Sequence, residues 1–144
     1  MTEIQVPVGS FKCDSCDSVD EVVAKLPQFR WKVQDAEDGG KMAFAVISGN
    51  KATGEIHVLA ALEDAAAPRH EHLEGGPYGE LILGIAGQLW DEADDGQSVF
   101  LNSGDILIHG GGTIHAPRPA QRSMRNRFWF GYYHQPRGFR LIAP

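Results

Sequence analysis

Cysteine is scarce in this 144-residue chain, and long apolar runs are absent. The two cysteines, Cys13 and Cys16, are too few for a disulfide framework. Their C-x-x-C spacing leaves incidental thiols, a redox pair and half of a zinc site as open interpretations. No apolar stretch approaches the roughly 20 residues that cross a bilayer. The first residues also lack the basic and apolar regions of a signal peptide, so we expect a soluble, cytoplasmic protein without a membrane partner.

Acidic residues are missing from the C-terminal part of the chain. All 19 Asp and Glu residues lie at or before Asp105. Residues 1–105 contain seven basic residues and carry a net charge of −12, whereas residues 106–144 contain six arginines and carry +6. A nucleic-acid-binding domain is expected to be basic, and this chain has a net charge of −6. The distribution fits a small anionic ligand, a subunit contact or simple solvation of strand edges.

Helical signals are few in a chain with 17 glycines and eight prolines. One short helix is predicted after Ser18, which has capping-box spacing to Glu21, and Pro27 ends it. Beyond it, short β-like segments recur at roughly 8–12-residue spacing, which is typical of an all-β sandwich or barrel. The length suits one domain. We therefore predict an N-terminal extension over residues 1–35, packed on a barrel formed by residues 36–144.

Two segments have the strongest strand patterns. Residues 80–90 start with a glutamate and continue with apolar residues, and residues 91–97 follow as a predicted acidic turn. In residues 126–134, alternation places Phe128 and Tyr132 on one face and Trp129 on the other. Such aromatic faces either wall a cavity or pack as ordinary core, and both interpretations stay open.

Histidines and one glutamate are the most informative polar residues. His70 and His72 are two residues apart, so on a strand both imidazoles point to one face and can bind one cation. Glu80 opens an apolar strand, where a buried carboxylate without a partner would be costly. A metal ion is one such partner, and a solvated strand end is the alternative. His115 follows a strand and a glycine-rich turn.

Two segments combine these residues with glycines at fixed spacing: His70-x-His72 with Glu80-x6-Gly87, and Gly104-x5-Gly110-x-Gly112-x2-His115. Their spacings resemble the two motifs of the cupin family, G-x5-H-x-H-x3-4-E-x6-G and G-x5-P-x-G-x2-H-x3-N. A short stretch, residues 88–103, separates them, as is usual in that family. The resemblance covers roughly residues 54–134.

This chain departs from the family pattern at several positions. The replacements are Asp64 for the opening glycine, Gly110 for the proline and Pro119 for the final asparagine. Seven residues, rather than three or four, separate His72 from Glu80. The longer spacing leaves Glu74 as an alternative carboxylate, although the spacing from Glu80 to Gly87 favours Glu80.

The resemblance implies a double-stranded β-helix, the RmlC-like jelly-roll barrel, around one divalent metal ion. It implies His70, His72, Glu80 and His115 as the ligands. Three imidazoles and a carboxylate suit Fe, Zn, Mn, Ni or Cu about equally, so the sequence does not select the metal. The same segments are similar to the cupin domain of zinc-binding anti-sigma factors and to small metal-dependent cupin dioxygenases.

The resemblance also implies a function. We expect a metal-dependent enzyme that acts on a small oxygen-rich organic substrate, with a dioxygenase as the leading class and an isomerase or lyase beside it. A non-catalytic sensor or ligand-binding cupin and a metal-free, sugar-epimerase-like cupin are the alternatives. Fold alone does not choose among them.

Three further residues are candidate catalytic groups. His57 and His109 are candidate acid–base groups or hydrogen-bond donors to the ligands, with a structural histidine as the alternative for each. Arg118, three residues beyond His115, is a candidate for steering an anionic substrate. Because exposed strand edges favour pairing, we also expect a homodimer.

Overall fold

The computed structural model describes residues 13, 15–36, 39–94, 96–120 and 127–142. Residues 1–12 of the predicted extension therefore lie outside the described part. The single helix within it is α1 (Val19–Lys25). The strands are β1 (Lys32–Asp35), β2 (Lys41–Asn50), β3 (Glu55–Glu63), β4 (His70–His72), β5 (Glu80–Glu92), β6 (Ser98–Asn102), β7 (Ile106–His109), β8 (Ile114–His115), β9 (Arg118–Pro119), β10 (Phe128–Gln135) and β11 (Phe139–Leu141).

Helix α1 forms where the capping pattern predicts it. The Ser18 hydroxyl accepts a hydrogen bond from the backbone N–H of Glu21 at 3.1 Å, which satisfies one of the free N–H groups of the first turn. Leu26 caps the C-terminal end, directly before Pro27. No helix in the described ranges is long and apolar enough to cross a membrane.

The strands form two antiparallel sheets, which confirms the predicted all-β architecture. The larger sheet has the order β1-β2-β3-β10-β5-β6, with β7 and β9 also paired to β5. The smaller sheet has the order β11-β4-β8. Strand β1 extends the larger sheet, although it belongs to the stretch that we assigned to the extension. The boundary at residue 36 stays a prediction.

Both faces of the larger sheet carry buried side chains. Its outer face packs under α1 and carries Phe128, Phe130 and Tyr132 of β10. Its inner face, which faces the smaller sheet's histidines, carries Trp129 and Tyr133. The predicted alternation along β10 is therefore present, and both of its aromatic faces are core.

The cysteine pair belongs to the outer face. Cys13 and Cys16 form a disulfide, and each is 1% exposed. They share a hydrophobic cluster with Val19 and Val22 of α1. The pair therefore lies on the side of the sheet opposite the predicted metal ligands.

Gly87 explains why the predicted strand tolerates a glycine at its centre. Its φ is +80°, a conformation that side chains disfavour. A Cβ atom there would lie 2.2 Å from the carbonyl oxygen of Phe128 on the neighbouring strand. Glycine is thus required by the close approach of β5 and β10.

Candidate metal centre

The three predicted histidine ligands come from two adjacent strands of the smaller sheet. His70 and His72 lie on β4, and the register places His115 of β8 directly opposite His70. The His72 and His115 side chains are fully buried, and His70 is 9% exposed. The one-residue alternation of β4 leaves Glu71 outside this group, where it pairs with Arg140.

Glu80 reaches the same place from the larger sheet. It is the first residue of β5 and is 1% exposed. Its Oε1 atom lies 3.1 Å from Nε2 of His72 and 3.3 Å from Nε2 of His115. Glu74 is exposed and lies against the loop of Gly111 and Gly112. The structure therefore brings Glu80, and not Glu74, to the three histidines.

The spacing of these atoms fits a shared cation. Nε2 of His115 lies 2.7 Å from Nε2 of His72 and 3.0 Å from Nε2 of His70. Ligand atoms about 2.1 Å from one ion, at angles of roughly 90–109°, are separated by about 3.0–3.4 Å. The ligand atoms of all four residues lie within 4.8 Å of one another.

Glu80 Oε1 gives an independent indication of an ion. This buried atom has no hydrogen-bond partner among the described residues, although two imidazole nitrogens are close to it. An unpaired carboxylate oxygen in a buried position is costly. The donor set and this orphaned oxygen fit a divalent metal that is coordinated by all four side chains.

In three of the four side chains the atoms that face away from the ligand group are held in place, whereas Nδ1 of His72 has no hydrogen-bond partner among the described residues. Nδ1 of His70 lies 2.6 Å from the carbonyl oxygen of Pro68, and a carbonyl only accepts, so Nδ1 carries the proton. The Gln135 amide donates to Glu80 Oε2 at 2.7 Å. Nε2 of His70 and Oε1 of Glu80 are thereby left with free lone pairs toward the centre.

Asp91 holds the third ligand candidate. Its Oδ1 lies 2.6 Å from Nδ1 of His115, and its Oδ2 lies 2.5 Å from Nε2 of His109. Burial acts to raise the pKa of Asp91, but hydrogen bonds from His109 and His115 outweigh it and lower the pKa to about 2. Asp91 is therefore ionised and accepts a hydrogen bond from Nδ1–H of His115.

The ion-free site has opposite effects on its histidines. Burial, followed by the nearby His115, lowers the pKa of His70 to about 4. Burial also acts to lower the pKa of His115, but its hydrogen bond to Asp91 and the nearby carboxylate of Glu80 raise it to about 9. The contacts with His115 and His72 overcome burial at Glu80 and depress its pKa. Glu80 and His70 are thus already in their metal-binding forms at neutral pH, and His115 is not.

The three further candidates lie in different places. His109 lies beside the centre, where its Nε2 is 2.5 Å from Asp91 and its ring centroid is 4.7 Å from that of His115. His57 lies on the outer face of the larger sheet, where it contacts Tyr132. Arg118 is exposed and pairs in register with Trp90, whereas the adjacent pair, Leu89 and Pro119, is buried. The structure brings neither His57 nor Arg118 to the ligand group.

Asp91 and Gln135 support the site but were not predicted from the sequence. Asp91 was assigned to an acidic turn, but β5 continues to Glu92 and places Asp91 on the inner face with Leu89. Alternation from Glu80 would place Asp91 on the opposite face, but the register shift between Gly84 and Ala86 reverses the parity, so the local pattern does not reveal it. Gln135 carries no local signal either, because its role follows from the pairing of β10 with β5.

Solved structures with the same architecture are numerous, and three illustrate the likeness. A cupin-like protein from Thermotoga maritima matches with a TM-score of 0.61 and 11% identity, over 80% of this chain and 87% of that one. An RmlC-like cupin from Ralstonia eutropha matches at 0.59 and 13%, over 96% and 82%. The DMSP lyase DddQ from Ruegeria pomeroyi matches at 0.59 and 16%, over 94% and 74%.

The other comparisons found nothing. No family model matches the chain, and no curated protein matches it. The structural matches nevertheless confirm the predicted fold: this chain has the fold of a small cupin domain. Inside it, a buried group of three imidazoles and one carboxylate offers a site for a metal ion.

Proposed function

We propose that this cupin-fold protein binds one divalent metal ion through His70, His72, Glu80 and His115, and that it is a metal-dependent enzyme. The observation that carries the proposal is the convergence of three Nε2 atoms on a buried Glu80 oxygen that has no hydrogen-bond partner in the described structure. A bound ion supplies Lewis acidity and, if it is redox-active iron, the capacity to activate O2.

The chain's own groups prepare the site for this role. Pro68, Asp91 and Gln135 bind the outward atoms of His70, His115 and Glu80, and so fix which atom of each side chain faces inward. Preorganised ligands need little rearrangement when an ion arrives. This arrangement supports a dedicated metal site rather than a chance cluster.

The approach for a substrate is expected beside His70. This side chain is the most exposed of the four, and its ring lies 5.5 Å from the ring of Phe139. Phe139 is 44% exposed, on the edge strand β11. We therefore expect a small substrate with oxygen atoms to bind the ion and an apolar part to contact Phe139.

Our leading reaction class is a dioxygenase, as the family resemblance implies. A lyase is the second candidate, because a DMSP lyase shares this fold over 94% of the chain. The two classes differ in their need for O2, which gives a direct experimental distinction. Sensing without catalysis and metal-free epimerase chemistry remain the alternatives to both.

We also propose a homodimer, a cytoplasmic location and a small, anionic ligand, without a nucleic-acid partner. Ile106 and Ile108 on β7 are 63% and 56% exposed, and β7 pairs only with β5 in the described part of the chain. Apolar side chains on a sheet edge support pairing between subunits. Size-exclusion chromatography with light scattering tests the dimer.

The test of function begins with the metal content of protein purified without added metal. We expect about one equivalent in the wild type, its loss in His70→Ala and His115→Ala, and its retention in Glu74→Gln. No metal in the wild type, or equal content in all variants, would contradict the proposal.

Activity is then measured on the metal-loaded protein with and without O2. Acetylacetone serves as a dioxygenase probe, with O2 consumption as the readout. Dimethylsulfoniopropionate serves as a lyase probe, with acrylate formation as the readout. O2 consumption supports the leading class, and acrylate formation without O2 supports the second. The absence of both activities favours a binding protein.

A further inference from the structure

A second group of histidine and carboxylate side chains lies on the outer face of the larger sheet. Glu55 and His57 are on β3, and His134 is on β10 directly opposite His57. Their ligand atoms all lie within 4.8 Å of one another. None of the three contributes to the metal centre described above.

The two imidazoles share one carboxylate. Nε2 of His134 lies 2.9 Å from Oε2 of Glu55, and Nε2 of His57 lies 3.9 Å from Oε1 of the same residue. The two rings are nearly parallel, with an interplanar angle of 16° and centroids 4.3 Å apart. Both Nε2 atoms therefore approach the same carboxylate group.

Two tyrosines bind the opposite edges of the rings. Nδ1 of His57 lies 2.5 Å from the hydroxyl of Tyr132, and Nδ1 of His134 is hydrogen-bonded to the hydroxyl of Tyr78. In the ion-free protein the Glu55 carboxylate accepts from Nε2–H of His134, so the Tyr78 hydroxyl donates to Nδ1 of that ring. A tyrosine hydroxyl also accepts, so the proton can reside on Nδ1 of each ring when an ion takes the place of the proton on Nε2. Histidine ligands of metals typically have this kind of support at their second nitrogen.

The group is sheltered but open to solvent at the carboxylate. The His57 and His134 side chains are 13% and 4% exposed, whereas the Glu55 side chain is 37% exposed. Burial, with the neighbouring His134, lowers the pKa of His57. This shift favours the neutral form of the ring, which keeps a lone pair on one of its two nitrogens.

We propose that Nε2 of His57, Nε2 of His134 and the carboxylate of Glu55 form a second metal site, for a late first-row divalent ion such as Zn²⁺. Imidazole nitrogen with carboxylate oxygen is a donor set that suits these ions, and water completes the coordination. Because the rings are nearly parallel, at least one must rotate before both lone pairs meet one ion. We therefore expect weaker binding here than at the centre between the sheets.

The two sites are separated by the sheet itself. His134 faces outward, while its neighbour Gln135 faces inward and donates to Glu80. They have no side chain in common, so each is expected to bind its ion when the other is disabled.

The test is a Zn²⁺ titration by calorimetry, with stoichiometry checked by equilibrium dialysis. The wild type is expected to bind two equivalents of different affinity. Glu55→Gln and His57→Gln are each expected to weaken the lower-affinity event at least tenfold and to leave the other unchanged. Glu92→Gln, which alters an exposed glutamate at the end of β5, is the matched control and is expected to behave as wild type.

His72→Ala provides the reciprocal test, since it is expected to remove the tighter event and keep the weaker one. Circular dichroism verifies folding. If His57→Gln does not fold, Glu55→Gln decides, because Glu55 is on the solvent side. One equivalent in the wild type, or a second equivalent that Glu55→Gln does not weaken, would overturn the second site without affecting the first.

Discussion

Asp91 joins two histidines through its two oxygens, and one of them, His115, belongs to the group of predicted metal ligands. The Asp91 oxygens lie 2.6 Å from Nδ1 of His115 and 2.5 Å from Nε2 of His109. The carboxylate is 1% exposed, so this pairing is made without competition from water. Its position behind His115 gives Asp91 control over the orientation and basicity of that ring.

Replacing Asp91 should therefore weaken metal binding without removing a ligand. We expect Asp91→Asn to lower the affinity of the deprotonated protein for Zn²⁺ by roughly 10–100-fold. Competition with a chelator over a range of pH measures this affinity. Asp94→Asn, which alters an exposed aspartate paired with Arg69, should have no such effect. Equal affinities of the two variants would remove Asp91 from this role.

Glu80 and Glu74 give a second, sharply contrasted pair. Glu80→Gln removes a negative charge from the buried group and should weaken metal binding by a factor of ten or more. Glu74→Gln changes an exposed side chain and should leave the affinity within twofold of wild type. Calorimetric titration of both variants measures this difference. A stronger effect of Glu74→Gln would return Glu74 to the ligand set.

Metal binding should release a proton, and His115 determines the amount. With a pKa of about 9, its imidazole is charged at pH 7.5 in the ion-free protein, whereas His70, with a pKa of about 4, is neutral. Because His115 has to lose its proton to bind the ion, we expect it to contribute nearly one released proton per ion. The affinity should then rise about tenfold per pH unit until it levels off near pH 9.

Calorimetry in buffers with different enthalpies of ionisation measures the released protons. The Asp91→Asn variant is the matched comparison, because loss of the carboxylate should lower the pKa of His115 and reduce the release. Zero release from the wild type at pH 7.5 would show that His115 is neutral before the ion binds.

Gly87 and Gly96 separate two costs of adding a side chain. Both have a positive φ, +80° and +87°, but a Cβ at Gly96 would meet nothing within 4 Å, whereas one at Gly87 would clash with Phe128. Gly96→Ala should cost about 1–2 kcal/mol of unfolding free energy through backbone strain alone. Gly87→Ala adds overpacking and should cost about 2–5 kcal/mol. Urea unfolding measures both, and equal costs would contradict the clash.

Much of the metal centre could be predicted because its signals are local. His70 and His72 share a face through the alternation of a single strand, and family spacing links them to Glu80 and His115. The long gap between His72 and Glu80 did not prevent this, since the extra residues form a loop outside the site. Fold class followed from the short, regularly spaced strands.

The site residues that were not predicted depend on the pairing of strands that are distant in sequence. Asp91 lies in a segment rich in acidic residues and glycine, so its composition favoured a turn over the end of a strand. His134 had no pattern around it, because its partner His57 is brought opposite it only by the register of β3 and β10. Such registers are set by tertiary packing and not by the local sequence.

Strand β10 makes the protein sensitive to insertions, because a one-residue insertion reverses the face of the sheet on which the following side chains lie. Odd-numbered residues such as Gln135 face the interior, and even-numbered residues such as His134 lie on the outer face. Inserting one residue inside the strand, after Gly131, would move His134 inward and Gln135 outward, and so disrupt the support of Glu80 and the outer histidine pair together. An insertion of two residues would restore the parity, so single-codon length variants in this strand should be far less tolerated than substitutions that keep its length.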